Sequence, residues 1–334
     1  MSIRSIVSGF AGLGVGGGLV TLWGKPFSHS EKSGTAAGGP SSGVPTGSSN
    51  SGGVLHLQGS NVNPSAFFKY GFPGPVHDLM NREEFVSCYD RQLRIPYWVV
   101  EHITPESLSN KSGDRKNSFF REDESIPDTF RARLRDYFRS GYDRGHLAPA
   151  ADAKFSQKAM DETFYLTNIC PQVGDGFNRD YWAHLEYFCR QLVEKYKSVR
   201  VVTGPLFLPK KDPVDGKMKV TYEVIGNPPN IAVPTHFYKL IVAENAAPDP
   251  TSDSVAVGAF VLPNDKIPND TKLTDFEVPV DAISRSSGLQ FLQKLPSNKT
   301  KKLCQEVDCH ITVRDFQKAL PAPKKYPALP PGSS

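Results

Sequence analysis

The residues best suited to chemistry lie in a short motif at positions 141–146, GYDRGH. His146 carries the side chain whose ordinary pKa is closest to neutrality, so it can take a proton from water at working pH. Arg144 offers a planar fork for phosphate oxygens. Because a lone Arg-Gly-His sequence is more often structural, the prediction of a phosphate site with a base depends on its context. Asp143 is expected to tie down the turn through backbone hydrogen bonds.

A second polar segment follows at positions 177–186, FNRDYWAHLE. Apolar residues recur there at intervals of three and four, which predicts a helix from Phe177 to Tyr196. On one continuous helix, Asn178 and Glu186 would stand roughly 12 Å apart along the axis. Helical side chains lean toward the N-terminus, so Glu186 is expected to reach back toward the region of Asn178 without sharing direct ligation of an ion.

The two segments together resemble the DNA/RNA non-specific endonuclease family, whose active site is a ββα-metal motif. The resemblance rests on Asp-Arg-Gly-His at 143–146 and Asn-x-x-x-Trp-x-x-Leu-Glu at 178–186. Further stretches between Phe67 and Leu292, among them TGPLFLP at 203–209 and VPTHF at 233–237, resemble the mitochondrial endonuclease G subfamily.

The resemblance implies hydrolysis of phosphodiester bonds in DNA and RNA alike, with 5′-phosphate products. It implies that His146 is the general base and that Arg144 contacts phosphate. Asn178 would be the direct protein ligand of a hydrated Mg²⁺, for which Mn²⁺ could substitute, and Glu186 would act through a water. Mg²⁺ keeps several waters and takes part of its coordination from substrate phosphate, so a single neutral ligand is chemically reasonable.

The family resemblance also implies a homodimer in the mitochondrial intermembrane space, associated with the inner membrane through the N-terminus. The first residues contain Arg4, no acid before Glu31, and an apolar, glycine-rich run from Ile6 to Trp23. We therefore predict a targeting or membrane-anchor segment at 1–27. Its few cations are unlike an arginine-rich presequence, so a signal anchor and a cleaved presequence both fit.

Composition divides the remainder of the chain. Residues 28–65 are dominated by Gly, Ser and Pro, which predicts a disordered linker. Residues 66–320 would form the nuclease catalytic domain, and 321–334 a Pro-rich tail. With 38% apolar residues among 334, a large core is feasible, and the net charge of +4 is compatible with a polyanionic substrate without requiring one.

Short β-branched and aromatic runs separated by turn signals predict strands, and these strands mixed with helices predict an α+β fold with a mixed or antiparallel sheet core flanked by helices. A short helix is expected around Asp161. The predicted strands are Tyr97 to His102, Val199 to Thr203, Lys219 to Ile225 and Ala256 to Leu262.

Several polar residues leave alternatives open. The amides of Asn168 and Gln172 are expected to satisfy buried backbone groups. Most of the five cysteines are expected to be buried free thiols, while Cys304 and Cys309 beside His310 allow either a disulfide or part of a metal site. A cluster of arginines fits a substrate rail or a solvated helical face equally well; its members are Arg131, Arg133, Arg135 and Arg139.

Other classes of hydrolase lack support in the sequence. There is no His-Glu-x-x-His zinc motif, no Gly-x-Ser-x-Gly elbow and no P-loop. The remaining alternative is a catalytically inactive protein on the same fold that binds nucleic acid or serves as a membrane-tethered interaction partner. It leaves unexplained why every position that the proposed chemistry needs carries the required residue type.

Overall fold

The structure is a computed structural model that describes residues 66–72, 78–245 and 255–314. Both chemical motifs fall within these ranges. The predicted targeting segment (1–27), the linker (28–65) and the Pro-rich tail (321–334) lie outside the described residues. Within the described ranges, no helix combines the length and apolar character needed to cross a membrane.

The main elements follow one another as short strands and helices. In chain order, the strands are β1 (Asp78–Asn81), β2 (Phe85–Asp90), β3 (Ile95–Ile103), β4 (Asp143–His146), β5 (Ile169–Gln172), β6 (Ser198–Leu206), β7 (Lys210–Lys211), β8 (Met218–Lys219), β9 (Val224–Ile225), β10 (Ile231–Ala232), β11 (His236–Glu244), β12 (Val255–Pro263) and β13 (Thr300–Lys302). The α-helices are α1 (Pro105–Ser109), α2 (Leu134–Tyr137), α3 (Gln157–Glu162), α4 (Tyr181–Lys195), α5 (Val280–Ser287) and α6 (Leu303–Glu306).

A seven-stranded sheet in the order β1-β2-β3-β6-β11-β12-β13 forms the centre of the fold. Neighbouring strands of this sheet pair antiparallel, except for β12 and β13, which run parallel, so the sheet is mixed. All nine residues of β11 are buried, because helices and loops cover both faces of the sheet. The predicted α+β architecture is confirmed.

Alternation along the central strands divides the core between the two faces. Phe237 and Ile241 of β11 belong to the larger apolar cluster, which also includes α4. Tyr238 and Leu240 belong to the cluster on the opposite face, which includes Ile283 of α5. The helix predicted to carry the chemical residues therefore packs on one defined face of the sheet.

Three of the four predicted strands are confirmed by β3, β6 and β12, each slightly longer than predicted. The fourth is wrong: the region from Lys219 to Ile225 contains only the last residue of β8 and the two residues of β9, with no continuous strand between them. Its apolar side chains are largely exposed, with Val220 at 49% and Tyr222 at 41%. A run of β-forming residues without an apolar surface to cover does not build a continuous strand. The predicted short helix around Asp161 is α3.

The long predicted helix begins later than expected. Its regular part is α4, from Tyr181 to Lys195, and residues Gly174–Asn178 form a separate wide turn before it. Gly176 has a φ of +81°, which ordinary side chains rarely adopt, so the helix cannot continue through it. Asn178 therefore precedes the helix, and the axial separation from Glu186 expected on one continuous helix does not apply.

The cysteines divide as the sequence allowed. Cys304 and Cys309 form a disulfide with an S–S distance of 2.04 Å, which excludes the metal-site alternative for this pair. The free cysteines of the described ranges are buried, as predicted; they are Cys88, Cys170 and Cys189.

Candidate active site

Two short strands and a helix position the chemical residues. β4 carries the Asp-Arg-Gly-His motif and pairs antiparallel with β5, so that His146 lies opposite Ile169 and Asp143 opposite Gln172. The chain then passes through the wide turn into α4. Gly145 is required here, since an added Cβ would lie 2.0 Å from the Gln172 side-chain oxygen. This is the ββα arrangement that the motifs predicted.

Aromatic packing holds the turn and the helix against the sheet. Phe177, the residue before Asn178, stacks on Phe237 of β11 with a centroid separation of 5.8 Å. Trp182 in the first turn of α4 lies 5.6 Å from the same ring. All three side chains are at most 1% exposed. The position of Asn178 is therefore set by a rigid part of the core.

His146 is buried in an aromatic surround at the end of β4, with only 8% of its surface exposed. Its ring lies 4.7 Å from the Phe164 centroid and 5.3 Å from that of Phe120. Its Nε2 atom has no hydrogen-bond partner among the described residues. Burial and then the charges of Arg115 and Arg144 lower the pKa of His146 well below its usual value. The imidazole is consequently neutral at pH 7, the form in which it can accept a proton.

Two arginines supply positive charge beside this base. The Arg144 guanidinium lies 4.4 Å from the Phe120 ring centroid, and that of Arg115 lies 5.3 Å from the Phe164 centroid. Within the described residues, neither forms an ion pair with a carboxylate, so both can face an anion. Sequence reasoning missed Arg115; its one signal is the basic and aromatic interleaving of RKNSFFR at 115–121.

Asn178 is oriented by Asp143. The Asn178 Nδ2 atom donates to Asp143 Oδ2 at 2.9 Å, and Arg179 Nε lies 2.9 Å from the same oxygen. An ionised carboxylate only accepts hydrogen bonds, so it must face the amide nitrogen and leave the Asn178 oxygen for another partner. The prediction that Asp143 bonds backbone groups is therefore wrong: its carboxylate links two side chains.

Glu186 lies on α4 and is half-buried. Burial raises its pKa to about 7, while the charges of Lys239 and Arg190 act in the opposite direction. Arg115 also lowers the pKa of Glu186, as it does that of His146. One cation thus acts electrostatically on both groups.

The other polar residues singled out in the sequence have mixed outcomes. Asn168 satisfies buried backbone groups as predicted, accepting from Ala148 N at 3.0 Å and donating to Thr163 O at 2.9 Å. The same prediction is wrong for Gln172, whose amide is buried without hydrogen-bond partners among the described residues. Its side chain instead fills the space that the missing Cβ of Gly145 leaves.

Two of the four clustered arginines have local structural partners. Arg131 Nε donates to Ile126 O at 3.1 Å, and Arg133 Nη1 lies 2.7 Å from Glu122 Oε2. Arg135 and Arg139 are exposed. At most this exposed half of the cluster remains available to a substrate.

The described residues contain no group of three or more His, Cys, Asp or Glu side chains arranged to hold a metal ion. A conventional multi-ligand centre is therefore absent from this part of the chain. The ββα scaffold carries a neutral imidazole, two arginines and an oriented amide oxygen, and groups of these types can take part in the hydrolysis of a phosphate ester.

Comparison with known proteins identifies the class of enzyme. The sequence profile of the DNA/RNA non-specific endonuclease family matches residues 63–298. The chain therefore belongs to that family of metal-dependent nucleases, and it is an endonuclease.

Its relatives narrow the class to mitochondrial nucleases. The Mitochondrial nuclease of Saccharomyces cerevisiae is 63% identical over 335 residues, covering 97% of this chain and 99% of the relative. The human protein Endonuclease G, mitochondrial, is 45% identical over 227 residues, covering 68% of this chain and 73% of the relative. A crystal structure of an EndoG/EndoGI complex matches with a TM-score of 0.67 and 46% identity, covering 72% of this chain and 97% of that one.

Proposed function

We propose that this endonuclease hydrolyses phosphodiester bonds in both DNA and RNA, uses Mg²⁺, and leaves 5′-phosphate ends. The observation that carries this proposal is the His146 Nε2 atom, which is buried without a partner between aromatic rings. An unpaired polar atom inside a protein costs free energy. Its retention beside Arg144 indicates that its partner is part of the reaction, namely the water that attacks phosphorus.

The residues present fit a hydrated Mg²⁺. The Asn178 oxygen would hold the ion directly, because Asp143 already occupies the amide nitrogen. Glu186 would hold it through a water, and a carboxylate whose pKa is raised to about 7 is readily kept ionised by a nearby cation. When bound, the ion neutralises negative charge on the phosphate and on the leaving 3′-oxygen.

The side chains of the chain itself perform the remaining tasks. His146 accepts the proton of the attacking water, and its low pKa ensures that it is unprotonated beforehand. Arg144 and Arg115 bind the phosphate oxygens and stabilise the charge that develops on them. Since none of these contacts uses a 2′-hydroxyl or a base edge, the sugar and the base sequence do not enter the scheme.

The test is cleavage of supercoiled plasmid and single-stranded RNA by the purified full chain, with Mg²⁺ and with a chelator. We expect both substrates to be cut only with the ion. His146→Ala should lower the rate about a hundredfold or more, as the loss of a general base does. His310→Ala, at an exposed histidine, is the matched control. Normal cleavage by His146→Ala would refute the assigned role, and cleavage by the wild type in chelator would refute the proposed ion.

We further propose that the protein is a homodimer in the mitochondrial intermembrane space, associated with the inner membrane through residues 1–27. Exposed apolar side chains in the excursion between β6 and β11 support self-association; they are Val214 at 92%, Met218 at 63%, Val220 at 49%, Tyr222 at 41% and Val224 at 46%. Sedimentation of the wild type against Met218→Ser tests the dimer. Imaging a fluorescent fusion of residues 1–65 tests the location.

A further inference from the structure

A buried ion pair joins the segment after His146 to the helix that carries Glu186. Arg190 Nη1 of α4 lies 2.7 Å from Asp152 Oδ1, and the two side chains are 14% and 2% exposed. Asp152 is held by its own turn, in which its backbone nitrogen donates to Pro149 O at 3.0 Å. The pair therefore connects the β4 side of the active site with its helical side.

Arg190 is also a close helical neighbour of Glu186. The two residues are separated by four positions on α4 with the acid first, the spacing and order that favour a direct ion pair on a helix. In the structure, however, the hydrogen bond of Arg190 goes to Asp152. Arg190 acts on Glu186 only as a nearby charge.

The second cation near Glu186 is held in the same manner. Lys239 of β11 is 1% exposed, and its ammonium donates to Thr203 Oγ1 at 2.8 Å. It also lies 4.7 Å from the centroid of the Trp182 ring. Lys239 and Arg190, the two cations with the largest effect on the pKa of Glu186, thus have other partners. Among the described residues, no cation forms an ion pair with the Glu186 carboxylate.

We propose that Asp152 is a positioning residue: by binding Arg190, it keeps the Glu186 carboxylate available to the hydrated ion at Asn178. This inference rests on the proposed function, in which Glu186 contacts the ion through a water. Without Asp152, the buried guanidinium would lack its partner, which is a costly arrangement. Glu186, one helical turn away, would become its partner and would be withdrawn from the ion.

The test measures Mg²⁺ binding directly, by calorimetry on the full chain without nucleic acid. The titration is done at about pH 8, well above the ordinary pKa values of carboxyl groups. Asp152→Ala should weaken Mg²⁺ binding about tenfold, equivalent to about 1.4 kcal/mol. The double variant Asp152→Ala/Arg190→Met should return to within about twofold of the wild type, because the competing cation is gone. Asp152→Asn, which still accepts a hydrogen bond but is neutral, should fall between them.

A matched control separates positioning from stability. Arg82 and Asp123 form another buried ion pair, with an N–O distance of 2.5 Å and exposures of 16% and 4%. Asp123→Ala should lower the melting temperature as Asp152→Ala does, yet leave Mg²⁺ affinity unchanged. Asp152→Asn supplies the same comparison if the alanine variant does not fold.

Three results would overturn the inference. Asp152→Ala that binds Mg²⁺ as the wild type does would show that Asp152 serves stability alone. Weak binding that persists in the double variant would show that Arg190 is not the competitor. A wild type that binds no Mg²⁺, or that cleaves in chelator, would refute the proposed ion and this inference with it. Failure of the proposed ion is therefore distinguishable from failure of the role of Asp152 alone.

Discussion

Removal of the Asp143 carboxylate should uncouple Asn178 from the rest of the site. In Asp143→Ala, the Asn178 amide loses the acceptor that now lies 2.9 Å from its nitrogen. The amide can then rotate, so that its nitrogen takes the place of the oxygen that would bind the ion. The amide N–H groups are donors and repel a cation. Arg179, which shares the same carboxylate oxygen, is also released. The variant keeps His146, Arg144 and the fold of β4.

The structure sets the size of this effect. A hydrogen bond to a charged group contributes about 1.5–3 kcal/mol, and the 32% exposure of the Asp143 side chain places it at the lower end. About 1.5 kcal/mol corresponds to roughly a tenfold loss. Groups that orient a metal ligand typically matter by about 10- to 100-fold in metal affinity or activity. We therefore expect the Mg²⁺ concentration for half-maximal cleavage to rise at least tenfold or so.

The assay is plasmid cleavage over a Mg²⁺ titration, with Asp175→Ala as the control. Asp175 is the second carboxylate beside Arg179, at 3.2 Å, but it is 79% exposed and makes no contact with Asn178 in the hydrogen bonds of the described residues. Its removal should leave the titration unchanged. If Asp143→Ala and Asp175→Ala both stay within about twofold of the wild type, Asp143 does not orient the ligand.

Four further changes have defined outcomes. Asn178→Ala should abolish Mg²⁺-dependent cleavage and Glu186→Ala should reduce it more mildly; equal losses would indicate that Glu186 ligates the ion directly. Burial raises the pKa of Glu84 well above its usual value, so the folded state is favoured at low pH and loses that stability as pH rises. The free energy of unfolding of Glu84→Gln should therefore rise relative to that of the wild type, by up to about 1.4 kcal/mol per pH unit above about pH 4.5. Denaturant unfolding at several pH values measures this difference, and a difference that does not grow with pH would contradict the prediction. Replacing Cys304 and Cys309 by Ala should lower stability by about 2 kcal/mol in the same unfolding measurement, since the disulfide closes a loop with a separation of 5 residues; an unchanged unfolding midpoint would disprove it.

The fold class was predictable because it depends on local patterns. Runs of β-branched and aromatic residues between turn signals predicted β3, β6 and β12. The phosphate site predicted from the residue types at 143–146 stays a prediction. The start of α4 was not predictable from periodicity: Phe177 continues the apolar spacing of the helix, but it packs against Phe237 from a turn that Gly176 makes possible. The spacing of apolar residues in a sequence indicates which side chains are buried, but it does not indicate the backbone conformation that buries them.

The residues that control charge were hidden for a different reason. Lys239 lies in the apolar strand HFYKLIVAE. A single lysine in such a strand is expected to be exposed, yet Lys239 is only 1% exposed. Asp152 and Arg115 lie in segments whose sequence gives no sign that they meet α4 or His146. Electrostatic partners distant in sequence are brought together only by the tertiary fold, so a single sequence does not reveal them.

The charges in the site act on its two titratable groups in complementary ways. Burial opposes the charged form of each, and therefore lowers the pKa of His146 and raises that of Glu186. Positive charge from Arg115 then lowers both: it secures the neutral base and favours the ionised acid. A divalent cation at Asn178 would act in the same sense as Arg115. In the proposed site, ion binding and the protonation state needed for catalysis would therefore reinforce each other, and a site with one direct protein ligand would still depend on its metal.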